Sequence, residues 1–197
     1  MRHKRYSRTV SSQLRIAVLG GESTGKTTLA RALSAMTHGV VITEVLRAFV
    51  QEHHRAPKQD EQRAIMLAQR QREDQGIASH PHAFIFCDPA VLMTAIYSQM
   101  YFDDSSLRHQ ALSYAKDYDA LLWCRPDIAW VAEIGQRDGP DFRDRADSLI
   151  QEWSDELRTV TNVLEITGDV GRIPLAQELL SQQFGSVWQS TASPQSN

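Results

Sequence analysis

The chain has 197 residues with 42% hydrophobic and 23% charged side chains, enough for one α/β domain with a sizeable core and too few for two ordinary domains with separate tasks. A formal charge of −3 gives no general attraction to nucleic acid or acidic lipid. No apolar stretch approaches the ~18 residues that a membrane span needs, so neither a nucleic-acid nor a membrane partner is expected.

In chain order, Arg2, His3, Lys4, Arg5 and Arg8 make a basic leader over residues 1–12, read as disordered. It is followed by Ser11-Ser12-Gln13 instead of an apolar signal core. A single folded domain is placed at 13–185 and a disordered tail at 186–197, the last nine residues being rich in Ser, Gln and Pro. Cys87 and Cys124 each end an apolar run and suit a small hydrophobe better than a disulfide framework, so the location is read as cytoplasmic.

Five short apolar runs, at 14–19, 40–43, 83–87, 120–124 and 163–167, are continuous rather than alternating. That pattern predicts strands buried on both faces, as in a parallel sheet. Between them, residues 26–36 place Leu29, Leu33 and Met36 on one helical face, residues 59–77 read as a largely solvent-facing helix, and residues 89–100 as a helix with Pro89 in its first turn. Strands alternating with helices imply a doubly wound α/β fold whose strand carboxyl ends form one functional edge.

The first strand runs into Gly20, Gly21, Glu22, Ser23, Thr24, Gly25, Lys26 and Thr27, followed by Thr28. This satisfies G-x-x-x-x-G-K-[ST] between a strand and a helix, which is the context that gives the motif its meaning. Glycines allow a tight turn whose N–H groups face phosphate oxygens, and the helix amino terminus adds its positive dipole end. Lys26 would reach the outer phosphates of ATP and Thr27 would bind Mg²⁺.

Other candidates cluster at the same edge. Asp88 ends the third strand, where it could hold Mg²⁺ or serve as a helix N-cap. Glu44 follows the second strand, with Arg47 one helical turn later; Glu44 could take or bind an acceptor hydroxyl's proton, or the two could form a surface pair. Residues 135–145, rich in Gly, Pro and charge, suggest a mobile lid bringing Arg137 and Arg143 to transferring phosphate. Trp123, Trp130 and Tyr97 could stack on an aromatic acceptor or belong to the core. There is no N-K-x-D segment for reading guanine and no L-S-G-G-Q run.

Taken in order, Leu19 to Thr28, Glu44 with Arg47, Phe86-Cys87-Asp88 with Thr94 and Tyr97, Tyr118-Asp119, and Trp130-Val131-Ala132 resemble the ribosylnicotinamide kinase domain of NadR-type proteins, placed among NadR-like AAA domains. The resemblance implies a P-loop NTPase of nucleoside/nucleotide-kinase type, with a five-stranded, mainly parallel sheet, helices on both faces and a lid. It further implies γ-phosphate transfer from ATP with Mg²⁺ to the 5′-hydroxyl of ribosylnicotinamide, giving nicotinamide mononucleotide.

The same carry-over gives phosphate and Mg²⁺ binding to Lys26 and Thr27, an acid role to Glu44 and Asp88, and a lid place to Arg137; Trp130 is placed on the acceptor side as an aromatic that could stack there. The expected partner is a nucleoside-like small molecule, with a homo-oligomer possible. Two departures stand out: Asp88-Pro89-Ala90 replaces the D-T-D run often seen after the third strand, and about a dozen residues precede the first strand, which leaves no room there for the adenylyltransferase domain of bifunctional members. An ATP-binding regulatory module, or a kinase of another nucleoside-like metabolite, is the alternative reading.

Overall fold

A computed structural model describes residues 13–131 and 139–192. The leader at 1–12, Arg137 and part of the expected lid lie outside the described residues.

Among the described residues, five strands form one sheet: β1 (Arg15–Leu19), β2 (Val40–Thr43), β3 (Ile85–Asp88), β4 (Ala120–Cys124) and β5 (Asn162–Ile166). All neighbouring pairs are parallel, in the order β2-β3-β1-β4-β5. Continuous apolarity has the expected cause. Alternate residues of β1 point to opposite faces, with Ala17 and Leu19 in one apolar cluster and Ile16 and Val18 in the other, all buried.

Helices cover both faces. On one side lie α1 (Lys26–Thr37), α7 (Arg172–Phe184) and α8 (Ser186–Ala192), closing over Ile16, Val18, Phe84 and Phe86. On the other lie α3 (Gln62–Ser79), α4 (Leu92–Phe102), α5 (Arg108–Ala115) and α6 (Pro140–Val160), packed over Leu19, Cys87, Leu121 and Trp123. A short helix, α2 (Val45–His53), follows β2 and packs on α3. Both cysteines are free and buried. No helix among the described residues is long and apolar enough to cross a membrane.

Several expectations need correction. Residues 186–192 are helix rather than disordered tail, because Trp188 has an apolar site to fill: it is 2% exposed and stacks on Phe84 with ring centroids 5.4 Å apart. The lid expected to reach residue 145 gives way to α6 at Pro140, whose fixed φ and missing N–H suit a first helical turn behind Gly139. Pro89 is not in the first turn of α4; it follows a cis peptide bond from Asp88, and the helix begins at Leu92. Helix α3 is also less solvent-facing than its composition suggests, since Gln62, Gln69 and Glu73 are buried together with Ile65, Met66 and Gly76.

Candidate active site

The sheet order places β1 between β3 and β4. The chain leaves β1 for one face and later returns to its other neighbour, which opens a crevice at the carboxyl ends of the strands. The phosphate loop sits there. Gly20 has φ +143°, and a Cβ on it would come within 2.7 Å of both the Cys124 carbonyl and the Thr24 hydroxyl. Gly25 has φ +77° directly ahead of α1. Neither position accommodates an ordinary L side chain without strain.

Within the loop, the buried Thr24 hydroxyl donates to the Gly21 carbonyl at 2.9 Å, and the Lys26 ammonium donates to the same carbonyl. Lys26 therefore reaches back across the loop to Gly21. Thr27 is partly buried in the first turn of α1, whereas Thr28 is exposed. Ser23, at φ 53°, accepts from the Val131 N–H at 3.0 Å and ties the segment beyond β4 to the loop.

Two further contacts to the loop were not visible in the motif. Arg172, 5% exposed at the start of α7, donates to the Thr24 carbonyl at 3.0 Å and to the Arg125 carbonyl at 2.7 Å, and pairs with Asp127. A buried guanidinium thus holds the back of the loop. Arg143, in the first turn of α6, donates to the Ile128 carbonyl at 2.9 Å, and its backbone packs so tightly on Gly21 that a Cβ there would lie 2.9 Å from the Arg143 Cα. Of the two lid arginines, Arg143 is beside the loop; Arg137 falls outside the described residues.

The two acids come together. Asp88 closes β3, is 5% exposed, and its Oδ1 is buried without a hydrogen-bond partner. Glu44 stands between β2 and α2 and makes no side-chain cap. Desolvation pushes the Glu44 carboxyl up; the positive charges of Lys26 and Arg47 pull it back, and Asp88 adds a further upward push. Those influences place Glu44, Lys26, Arg47 and Asp88 in one electrostatic neighbourhood. No ion pair joins Glu44 to Arg47 among the described residues, which leaves the carboxylate available.

Trp130 is partly buried beyond β4, with its indole N–H buried and unpartnered. Trp123 is instead wholly buried and donates to Asp147 at 2.8 Å, so it belongs to the core. No group of three or more His, Cys, Asp or Glu side chains forms a metal cluster among the described residues. An oxygen-seeking Mg²⁺ that keeps most of its waters does not require one, and the Thr27 hydroxyl with the unpartnered Asp88 oxygen fits it.

A family model described as an AAA domain (AAA_28) matches residues 15–172. The chain belongs to this family. A search of curated proteins found no match. Among solved structures, a NadR protein in complex with NR superposes with a TM-score of 0.73 at 19% identity, covering 88% of this chain and 51% of that one. A NadR protein in complex with NAD and AMP-PNP gives 0.71 at 20% identity, with 88% and 50% covered. The chain thus spans about half the length of the NadR chains it matches. Thymidylate kinase from Candida albicans superposes at 0.61 and 14% identity over 92% of this chain and 94% of that one. Deoxyadenosine kinase from M. mycoides with bound dATP gives 0.60 at 14%, with 85% and 99% covered. The fold is that of P-loop nucleoside and nucleotide kinases, with every strand parallel.

Proposed function

We propose that this protein is an ATP-dependent small-molecule kinase that transfers the γ-phosphate to the 5′-hydroxyl of ribosylnicotinamide, giving nicotinamide mononucleotide. The observation that carries the kinase reading is the convergence of two carboxylates, Glu44 and Asp88, on the edge where Lys26 lies across the phosphate loop. The NadR neighbours, one with NR and one with NAD and AMP-PNP, support the choice of acceptor and donor.

In this reading the N–H groups of the loop and the start of α1 bind the phosphates, and Lys26 swings from the Gly21 carbonyl to the β and γ oxygens. Thr27 and Asp88 would hold Mg²⁺, which when bound neutralises charge on the phosphate oxygens. Glu44 orients the acceptor hydroxyl and takes its proton; its raised affinity for a proton brings it nearer to working pH than an ordinary carboxylate. Arg143, whose backbone lies against Gly21 and whose guanidinium is held by the Ile128 carbonyl and Asp144, adds positive charge to the donor side on turning toward the loop. Because the transition state is loose, holding these groups in place matters more than base strength.

The test is incubation with Mg-ATP and a nucleoside panel that includes ribosylnicotinamide, following ADP release and new phosphorylated products. Glu44→Gln should lower kcat by about 10²-fold while the ATP KM stays within about twofold. A different phosphorylated product reassigns the acceptor. Tight ATP binding without any product favours a second reading, a nucleotide-binding regulatory module. That reading draws on Ala90, which is 1% exposed among apolar neighbours and supplies no second acid beyond Asp88.

A further inference from the structure

Glu44 and Asp88 lie just where sheet pairing ends. The last β2–β3 pair is Thr43 opposite Asp88, so the backbone beyond it, at Val45 on one strand and Pro89 on the other, has no ladder to fix its spacing. Another tie is present. Gln69, 3% exposed on α3, accepts from the Val45 N–H through Oε1 at 2.8 Å and donates through Nε2 to the Pro89 carbonyl at 3.3 Å. A single planar amide bridges the residue after Glu44 and the residue after Asp88.

The amide has only one workable orientation. Its Nε2 also donates to Glu73 Oε1 at 3.2 Å, and the same carboxylate oxygen accepts from the Val91 N–H at 2.9 Å, ahead of α4. Glu73, wholly buried, is in turn fixed by Arg15 at 2.6 Å and by the Tyr118 hydroxyl at 2.5 Å. A flipped Gln69 would set N–H against the Val45 N–H and oxygen against both Pro89 and Glu73. Packing alone does not require this arrangement, because a leucine would fill comparable space on the same buried face without any polar group to satisfy.

We infer that Gln69 is a positioning residue, holding the Glu44 and Asp88 loops at a fixed separation from helix α3 while touching neither nucleotide nor acceptor. The inference rests on the kinase reading above, in which those two acids serve the reaction. Its signature is a loss of turnover without a loss of nucleotide binding, since α1 and the phosphate loop do not share the tie.

The test compares Gln69→Leu with Ile65→Ala, a buried apolar neighbour on the same helix that contacts neither loop by hydrogen bond. With ribosylnicotinamide, or whichever acceptor the panel identifies, Gln69→Leu should lower kcat about tenfold to a hundredfold and leave the ATP KM within about twofold; Ile65→Ala, scored per folded molecule, should leave kcat near wild type. In the same variant the Val45 amide should exchange hydrogen at least about tenfold faster, while the Leu29 amide, bonded to Gly25, stays protected. A folded Gln69→Leu protein with kcat within about twofold of wild type overturns the inference, as does an ATP KM rising in step with the loss. If Gln69→Leu does not fold, Gln69→Glu keeps the acceptor for Val45, sets negative charge against Glu73, and carries the same readouts. If wild type phosphorylates no acceptor, the kinase reading fails, and Val45 exchange decides the positioning role by itself.

Discussion

The Arg15–Glu73 pair gives the most direct test of what holds the acidic edge together. Arg15 is 6% exposed and Glu73 wholly buried, 2.6 Å apart, and the Arg15 guanidinium lies 4.7 Å from the centre of the Tyr118 ring. Burial works against the Arg15 charge, but Tyr118 and Glu73 more than offset it and raise its pKa overall. Glu73→Leu leaves Arg15 with only Asp74 as an ion-pair partner, at 3.0 Å and half-exposed, takes the acceptor from the Tyr118 hydroxyl, and leaves the Val91 N–H with only the Tyr118 oxygen at 3.4 Å. Breaking a buried pair from one side costs about 3–5 kcal/mol. The surviving Asp74 contact lowers the charge cost, while the orphaned Tyr118 hydroxyl and the weakened Val91 bond raise the polar cost, so about 4 kcal/mol is expected. The double variant Arg15→Met with Glu73→Leu removes the stranded cation and should cost less than the sum of the singles by at least about 1.5 kcal/mol. Urea unfolding at constant m measures all three. A Glu73→Leu loss under about 1 kcal/mol, or strict additivity in the double variant, would refute a buried pair with this role.

Two further outcomes follow from separate parts of the fold. Glu44 has its carboxyl pushed above the ordinary value of 4.5, so the folded state holds that proton more tightly than the unfolded chain does; stability contributed by the protonated form is lost as pH rises from about 4.5 towards the raised value. Glu44→Gln should therefore match wild type near pH 4 and gain on it as pH rises, and parallel melting curves from pH 4 to 8 would remove desolvation of Glu44 as the cause. Trp188→Ala should cost about 3 kcal/mol by thermal or urea unfolding, because it empties a site against Phe84; a loss under about 1 kcal/mol would mean that α8 is not part of the core.

How far the sequence could be read depended on whether the physical cause was local. The five strands came from short, largely apolar runs: β1, β3 and β4 are buried along their length and mostly apolar, whereas the edge strand β5, with Asn162 and Glu165, is largely exposed. The phosphate loop came from residue types that a tight anion-binding turn demands, such as Gly20 at φ +143°. Helix α3 was misread because its buried face mixes polar with apolar residues: Gln69 and Glu73, beside Ile65 and Met66, meet Val45, Pro89, Arg15 and Tyr118, which are 24, 20, 58 and 45 residues away in sequence. Periodicity can detect an apolar stripe but not a polar stripe whose partners are distant. Arg172 was missed for the same reason, lying 148 residues from the Thr24 carbonyl that it holds.

The departure at Ala90 gains a structural meaning from these long-range ties. The Ala90 N–H donates to the Val18 carbonyl at 3.3 Å, and its side chain is enclosed in the apolar cluster, so a carboxylate there would be directed into the core rather than the crevice. In the kinase reading proposed above, β3 contributes only Asp88 in that stretch, and Glu44, just after β2, is the second acid. Such a pair can act on one phosphoryl group only if its spacing is fixed, and the ladder, whose last pair is Thr43 opposite Asp88, stops one residue short of Glu44. Gln69 bridges those two loops, and Glu73 anchors it to β1, the strand that carries the phosphate loop. In that reading, the proposed donor and acceptor ends of the site are both referred to β1.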